Sequence, residues 1–180
     1  MRYVYYVAFA LYLVFSAVLY HQLPDRIAAH FDAAGVANGW ASKWEYLFMM
    51  AAIPAAVMLV FIGIDFLCGI IPASMFNVPN AWYWQRAENQ PRMRQLTSRF
   101  CWELGLYTIG FLSLIHLSIL RANRLKPPRL DGSEYVAIAF FGVLTVWWLI
   151  RLFLIYRVPK GVTRESLEAK DADISTDTPD

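Results

Sequence analysis

The chain has 180 residues, 58% of them apolar and 16% aromatic, with a formal net charge of +2. Its 16 basic and 14 acidic side chains leave four windows without charge, at 3–20, 46–64, 104–120 and 135–150. A soluble helix needs a polar stripe to meet water and none of these has one, which excludes a soluble globular domain, a disordered chain and a disulfide scaffold. So small a net charge, with no basic patch, gives no ground for nucleic acid as a partner.

The pattern reads as an all-α polytopic membrane protein with four transmembrane helices. About 20 helical residues cross a 30 Å hydrocarbon core. Span 1 covers about 3–20. It has only Arg2 in front and no A-x-A site before His21, so it reads as a retained span rather than a cleaved signal.

The loop 21–42 carries dense turn chemistry. Pro24 and Asp25 are expected to open a short helical turn. An extended His30-Phe31-Asp32 would aim His30 and Asp32 to one side and Phe31 to the other. Gly35 and the Asn38-Gly39 pair mark two turns, and Trp40 returns the chain to the interface.

Span 2, about 43–71, starts with Ser42 three residues before Glu45, a capping-box spacing, and stops before Pro72. Pro54 lies inside it and predicts a kink. Pro72, Asn77, Pro79 and Asn80 then rule out a further span before residue 85. Residues 80–100 are expected to form an interfacial helix, with Asn80 at its cap. Arg86, Arg92, Arg94 and Arg99 would attract anionic lipids, by about 1 kcal/mol each, while also setting topology.

Span 3 covers about 101–120. Span 4, about 134–156, follows a second cap signature, Asp131-Gly132-Ser133-Glu134. The spans and loops make a transmembrane domain over 1–158. From 159 to 180 the tail has six acidic and three basic residues with few bulky apolar ones, and reads as disordered. Aromatic residues near the predicted ends, Tyr3, Trp40, Trp82 and Tyr156 among them, form an interfacial belt. Cys68 and Cys101 read as packing residues. Ten Lys and Arg lie on the side of the termini and six on the other, which places both termini in the cytoplasm.

Four ionisable groups fall within or at the ends of spans: Asp65, Glu103, His116 and Arg151. Such groups are costly in a bilayer and raise a functional question. Asp65 and Arg151 sit at similar depth, roughly 8–9 Å from one face, with Glu103 on that face too. An Asp65–Arg151 ion pair, with Glu103 placed to join it, is therefore expected. Its alternatives are a proton or ion relay and a snorkelling Arg151. His116 lies toward the opposite face, beneath the 21–42 loop. His30, Asp32 and His116 match no helix-borne metal motif, so no metal and no cofactor are expected. No nucleophile elbow or phosphate loop is present, and no enzyme activity is expected.

The stretch from Leu23 to Lys43 resembles the signature loop of a bacterial membrane-protein family of unknown function, also found at the start of SdpI-like toxin-immunity proteins. The matching positions are Leu23, Pro24, Ile27, His30, Phe31, Asp32, Gly35, Asn38, Gly39, Trp40, Ser42 and Lys43. A second element, N-V-P-N-x-x-Y-W, falls at Asn77, Pro79, Asn80, Tyr83 and Trp84. The resemblance implies a multi-pass protein of the bacterial inner membrane, though the longer SdpI-like proteins carry more spans. The leading expectation is a non-enzymatic protein of immunity or sensing type whose extracytoplasmic loop recognises a toxin-like protein, a peptide or an envelope component. The other is a small transporter, or a subunit of one, working through Asp65, Arg151 and His116.

Overall fold

The computed structural model describes residues 1–176. In chain order they form α1 (Arg2–Tyr20), β1 (Arg26–Phe31), β2 (Ala37–Ser42), α2 (Lys43–Ile70), a 3-10 turn (Ala73–Met75), α3 (Ala81–Trp84), α4 (Gln90–Arg124), α5 (Ser133–Ile155) and α6 (Arg164–Thr176). Of these, α1, α2, α4 and α5 are long and apolar enough to cross a membrane. The four spans lie where the uncharged windows put them.

The ends of α2 follow local chemistry. The Ser42 hydroxyl accepts from the Glu45 amide at 3.2 Å, and the Glu45 carboxylate accepts from the Ser42 amide at 2.7 Å, completing the expected capping box. At the far end, Arg94 donates to the carbonyls of Cys68 and Ile71, which the helix itself leaves unbonded. α2 runs unbroken through Pro54, whose carbonyl accepts from the Tyr5 hydroxyl at 2.9 Å.

α4 is the central helix, with α1, α2 and α5 packed on it. At 35 residues it is about 52 Å long, well beyond a hydrocarbon core. α1, α2 and α4 pack closely at Gly105, where an added Cβ would lie 2.7 Å from the Tyr5 ring and 2.8 Å from that of Phe61. Tyr5, Tyr12, Phe61, Trp102, Ile109 and Leu112 form the middle of the core around it. A second cluster, including Leu19, Leu23, Ile27, Tyr46 and Ile119, packs beneath the β-strands. A third, Cys68, Phe76, Trp84, Met93 and Tyr156, closes the other end. α5 lies against α4 through stacked Phe111–Phe141 and Phe100–Trp148 pairs and exposes most of its remaining surface.

Four local expectations change. The chain is not all helical: β1 and β2 pair as an antiparallel hairpin in the 21–42 loop. No helical turn follows Pro24; Asp25 enters β1 directly and its carbonyl accepts from the Lys43 amide at 3.1 Å. The interfacial helix at 80–100 is not one element. Residues 81–84 make a single turn, and from Gln90 onward the segment is already α4. Asn80 does not cap with its side chain: it adopts φ 56° and donates to the Tyr156 carbonyl at 2.9 Å.

In the tail, Arg164–Thr176 is helical, while 177–180 lie outside the described residues. Thr163 and Ser166 exchange cap hydrogen bonds, Arg164 pairs with Glu168 one turn on, and Asp171 binds Arg86 in a bidentate pair at 2.6 and 2.8 Å. Composition alone shows none of these contacts.

Candidate functional site

The hairpin sits at one end of the bundle, and most of its signature residues build it. The Asp32 side chain accepts from the amides of Ala34 and Val36, both at 2.9 Å, and its carbonyl accepts from Gly35. This closes a turn in which Gly35 takes φ 75°, a conformation costly for residues with a Cβ. Gly35 is also pressed against Leu130 of the α4–α5 connection, whose amide donates to its carbonyl at 2.9 Å. Val36 forms an isolated bridge with Arg129 beside it.

Asn38-Gly39 is not a turn. Both residues lie inside β2, where Gly39 faces His30 at an irregular register. A Cβ on Gly39 would stand 2.8 Å from the Cβ of His30, so close strand approach, not turn geometry, requires glycine.

The hairpin is held to α4 by Asn123. Its Oδ1 accepts from the Ala28 amide at 2.8 Å, and its Nδ2 donates to the Ala28 carbonyl at 3.0 Å and to that of Ile119 at 2.9 Å. Ile27 and Ala28 are fully buried there. Sequence reading missed Asn123. The available signal was an amide side chain near the end of a long, largely apolar helix.

What remains exposed is a compact surface. Arg26, His30, Asn38 and Trp40 all face outward, and the Arg26 guanidinium lies 5.4 Å from the centre of the Trp40 ring. Phe31 turns inward and packs on the cluster beneath. Lys43 lies 4.2 Å from the centre of the Tyr20 ring.

His116 lies in the bundle below the hairpin, fully buried and edge-on to Tyr46 and Phe15 at 5.2 and 5.8 Å. Both its ring nitrogens, and the hydroxyls of Tyr12, Ser16 and Tyr46, are buried without a hydrogen-bond partner among the described residues. His30 is exposed on the hairpin, so the two histidines serve separate environments. Among the described residues, no three His, Cys, Asp or Glu side chains gather closely enough to hold a metal ion.

At the other end, the ionisable groups pair differently from the expected Asp65–Arg151 contact. Arg151 binds Glu103, which also accepts from Arg99 at 3.3 Å. Asp65 accepts from Ser98 and lies 3.7 Å from Arg2. The reason is packing: α5 carries Arg151 onto α4, whereas Asp65 on α2 faces α1 and a different stretch of α4. Of the second motif, Asn80 and Trp84 both donate to the Tyr156 carbonyl at 2.9 Å, and the Tyr83 carbonyl accepts from Asn89. Asn77 is exposed and Pro79 half-buried, so this motif ties the α2–α4 connection to the end of α5.

Residues 7–54 match the model of a family described as a domain of unknown function, DUF1648. The match runs through most of α1, the whole hairpin and the first part of α2 as far as Pro54. It stops short of Asp65, the second motif, Glu103, His116 and Arg151. Comparison with curated proteins and with solved structures gives no match.

Proposed function

We propose that the chain is a non-enzymatic, multi-pass protein of the bacterial inner membrane whose hairpin recognises an extracytoplasmic protein, peptide or envelope component. This is an immunity or sensing role of the SdpI-like kind, with both termini in the cytoplasm. One observation carries the reading. The hairpin is anchored through Ala28 to Asn123, yet it keeps Arg26, His30, Asn38 and Trp40 facing outward as a polar and aromatic surface. A rigid platform lowers the ordering cost of binding, and exposed Trp and Arg are the residue types that anchor interfaces.

The test separates surface from scaffold. A variant carrying His30→Ala, Asn38→Ala and Trp40→Ala keeps every contact that closes the turn at Asp32. It is expected to reach wild-type membrane levels and lose complementation of a deletion strain. Full complementation by that variant refutes the reading. A membrane-impermeant thiol reagent reacting with Ala33→Cys from outside intact cells is the matching result for orientation.

The alternative, a small transporter or transporter subunit using Asp65, Arg151 and His116, draws less support from their placement. His116 lies near the hairpin, and Asp65 and Arg151 engage different partners at the far end. Loss of proteoliposome flux in Asp65→Asn is the result that would favour it.

A further inference from the structure

The end of the bundle remote from the hairpin holds two neighbouring cavities. One, of about 610 Å3, lies between α1, α2 and α4, with Arg2, Asp65, Arg99 and Trp102 in its wall. The other, of about 300 Å3, lies between α4 and α5 and includes Glu103, Phe100, Arg151, Ile155 and Arg157. Arg92, Leu96 and Arg99 line both. At spacings of four, three and seven these three share one face of α4, so the cavities flank a single ridge. Their volumes are in the range of small-ligand sites.

Charge in the two cavities is unbalanced. Five arginines meet two carboxylates, and both carboxylates are already engaged. Glu103 serves Arg151 and Arg99; Asp65 serves Ser98 and Arg2. Among the described residues, Arg92 donates only to the Gln95 amide oxygen, at 2.7 Å, and Arg157 has no side-chain partner. Two unneutralised guanidinium groups favour an oxyanion, and their planar donor fork suits a carboxylate or a phosphate, of which the membrane supplies the phosphate. Phe100, Leu96 and Ile155 supply an apolar wall next to them.

The neighbouring arginines are excluded by their contacts. Arg94 is committed to the carbonyls that end α2, and Arg86 to Asp171 and Glu88. Positive charge at this end of the bundle is therefore divided between arginines held by structural contacts and a pair, Arg92 and Arg157, without a carboxylate partner among the described residues.

We infer that the paired cavities bind the phosphate of an anionic phospholipid, with Arg92 and Arg157 as its unneutralised cations and Leu96, Phe100 and Ile155 against its chains. The shared chemistry is a phosphate ester. A membrane source is favoured because the site lies at the ends of four apolar helices, with α5 exposing its outer surface beside it. The site is independent of the hairpin and of what the hairpin recognises.

The full chain is reconstituted in nanodiscs of phosphatidylcholine, alone or doped with phosphatidylglycerol, and its thermal midpoint and retained lipids are measured. Phosphatidylglycerol is expected to raise the midpoint and to be retained on native mass spectrometry, with both effects shrinking in high salt. Arg92→Gln and Arg157→Gln should each weaken phosphatidylglycerol binding roughly fivefold. Arg86→Gln, outside the cavities, should leave it unchanged. Arg157→Gln alters an exposed side chain after α5 and guards against misfolding of the Arg92 variant. Equal responses to the two lipids, or full binding in the double variant, overturn the inference. Glycerol phosphate stabilising the detergent-solubilised protein as strongly as the lipid does would assign the cavities to a soluble ester and overturn the lipid.

Discussion

Asn123 shows how much one side chain decides here. It satisfies both the N–H and the C=O of Ala28, a residue with no exposed surface. Buried backbone groups left without partners cost about 1–3 kcal/mol each, more than an average hydrogen bond contributes. Asn123→Ala is therefore expected to destabilise the hairpin by about 2–3 kcal/mol, seen as a lower thermal midpoint and faster proteolysis within 21–42. Asn123→Asp keeps the acceptor but turns a carboxylate oxygen toward the carbonyls of Ala28 and Ile119, so it should destabilise at least as much as alanine. The signature residues divide in the same way. Asp32, Gly35 and Gly39 hold the turn and the close strand approach, whereas His30, Asn38 and Trp40 are exposed. In the sequence, Asn38-Gly39 carries the marks of a tight turn. Only the pairing of Gly39 against His30 reveals that its missing Cβ serves strand packing.

At the scale of elements, the spans read from the uncharged windows and their flanking cap signals match the helices to within a residue at six of eight ends, because hydropathy over some 20 residues is a summed signal. The start of α4 was not legible that way. Residues 90–100 are basic and polar, yet they are continuous with the span because nothing after Pro91 breaks the helix. The tail is another case where local polarity misleads. α6 carries a cap, an i,i+4 pair and a contact to Arg86. That contact also makes it sensitive to pH. Hydrogen bonding to the Arg86 guanidinium holds the carboxyls of Asp171 and Glu88 below their ordinary values. A carboxyl whose value is lowered on folding contributes stability above its ordinary value, 3.8 for Asp171, and loses it as pH falls through the lowered one. Protection factors for amide exchange across Arg164–Thr176, taken relative to the intrinsic rate at each pH, should therefore fall in acid. They should also fall in high salt, because the pair is exposed. Asp171→Asn should reproduce the effect at neutral pH.

At the scale of the whole molecule, α4 organises the bundle and α5 depends on it. Beside the two aromatic stacks, α5 is tied by the Trp148 indole N–H, which donates to the Phe100 carbonyl at 2.9 Å, and by Arg151 on Glu103. The Glu103 side chain is 6% exposed and that of Arg151 27%. Losing one partner of a fully enclosed ion pair costs about 3–5 kcal/mol, and the partial exposure of Arg151 brings Glu103→Gln to about 2 kcal/mol. Thermal unfolding in detergent should show that loss. Asp65→Asn, by contrast, should leave α5 in place, since Asp65 touches α1 and α4 instead.

By itself the sequence determined the class: four spans, their order, the capped start of α2, and a structured loop between the first two. Each of these is a local or summed property, carried by charge avoidance and by residues within four positions of one another. Tertiary structure alone decided which polar groups meet. Helix rotation, strand register and the choice of α4 as the centre place Arg151 on Glu103, Asn123 on Ala28, and Arg92 between two cavities. Depth along a span can be counted from its ends. The direction a side chain takes around the helix axis is settled only when the neighbouring helices pack.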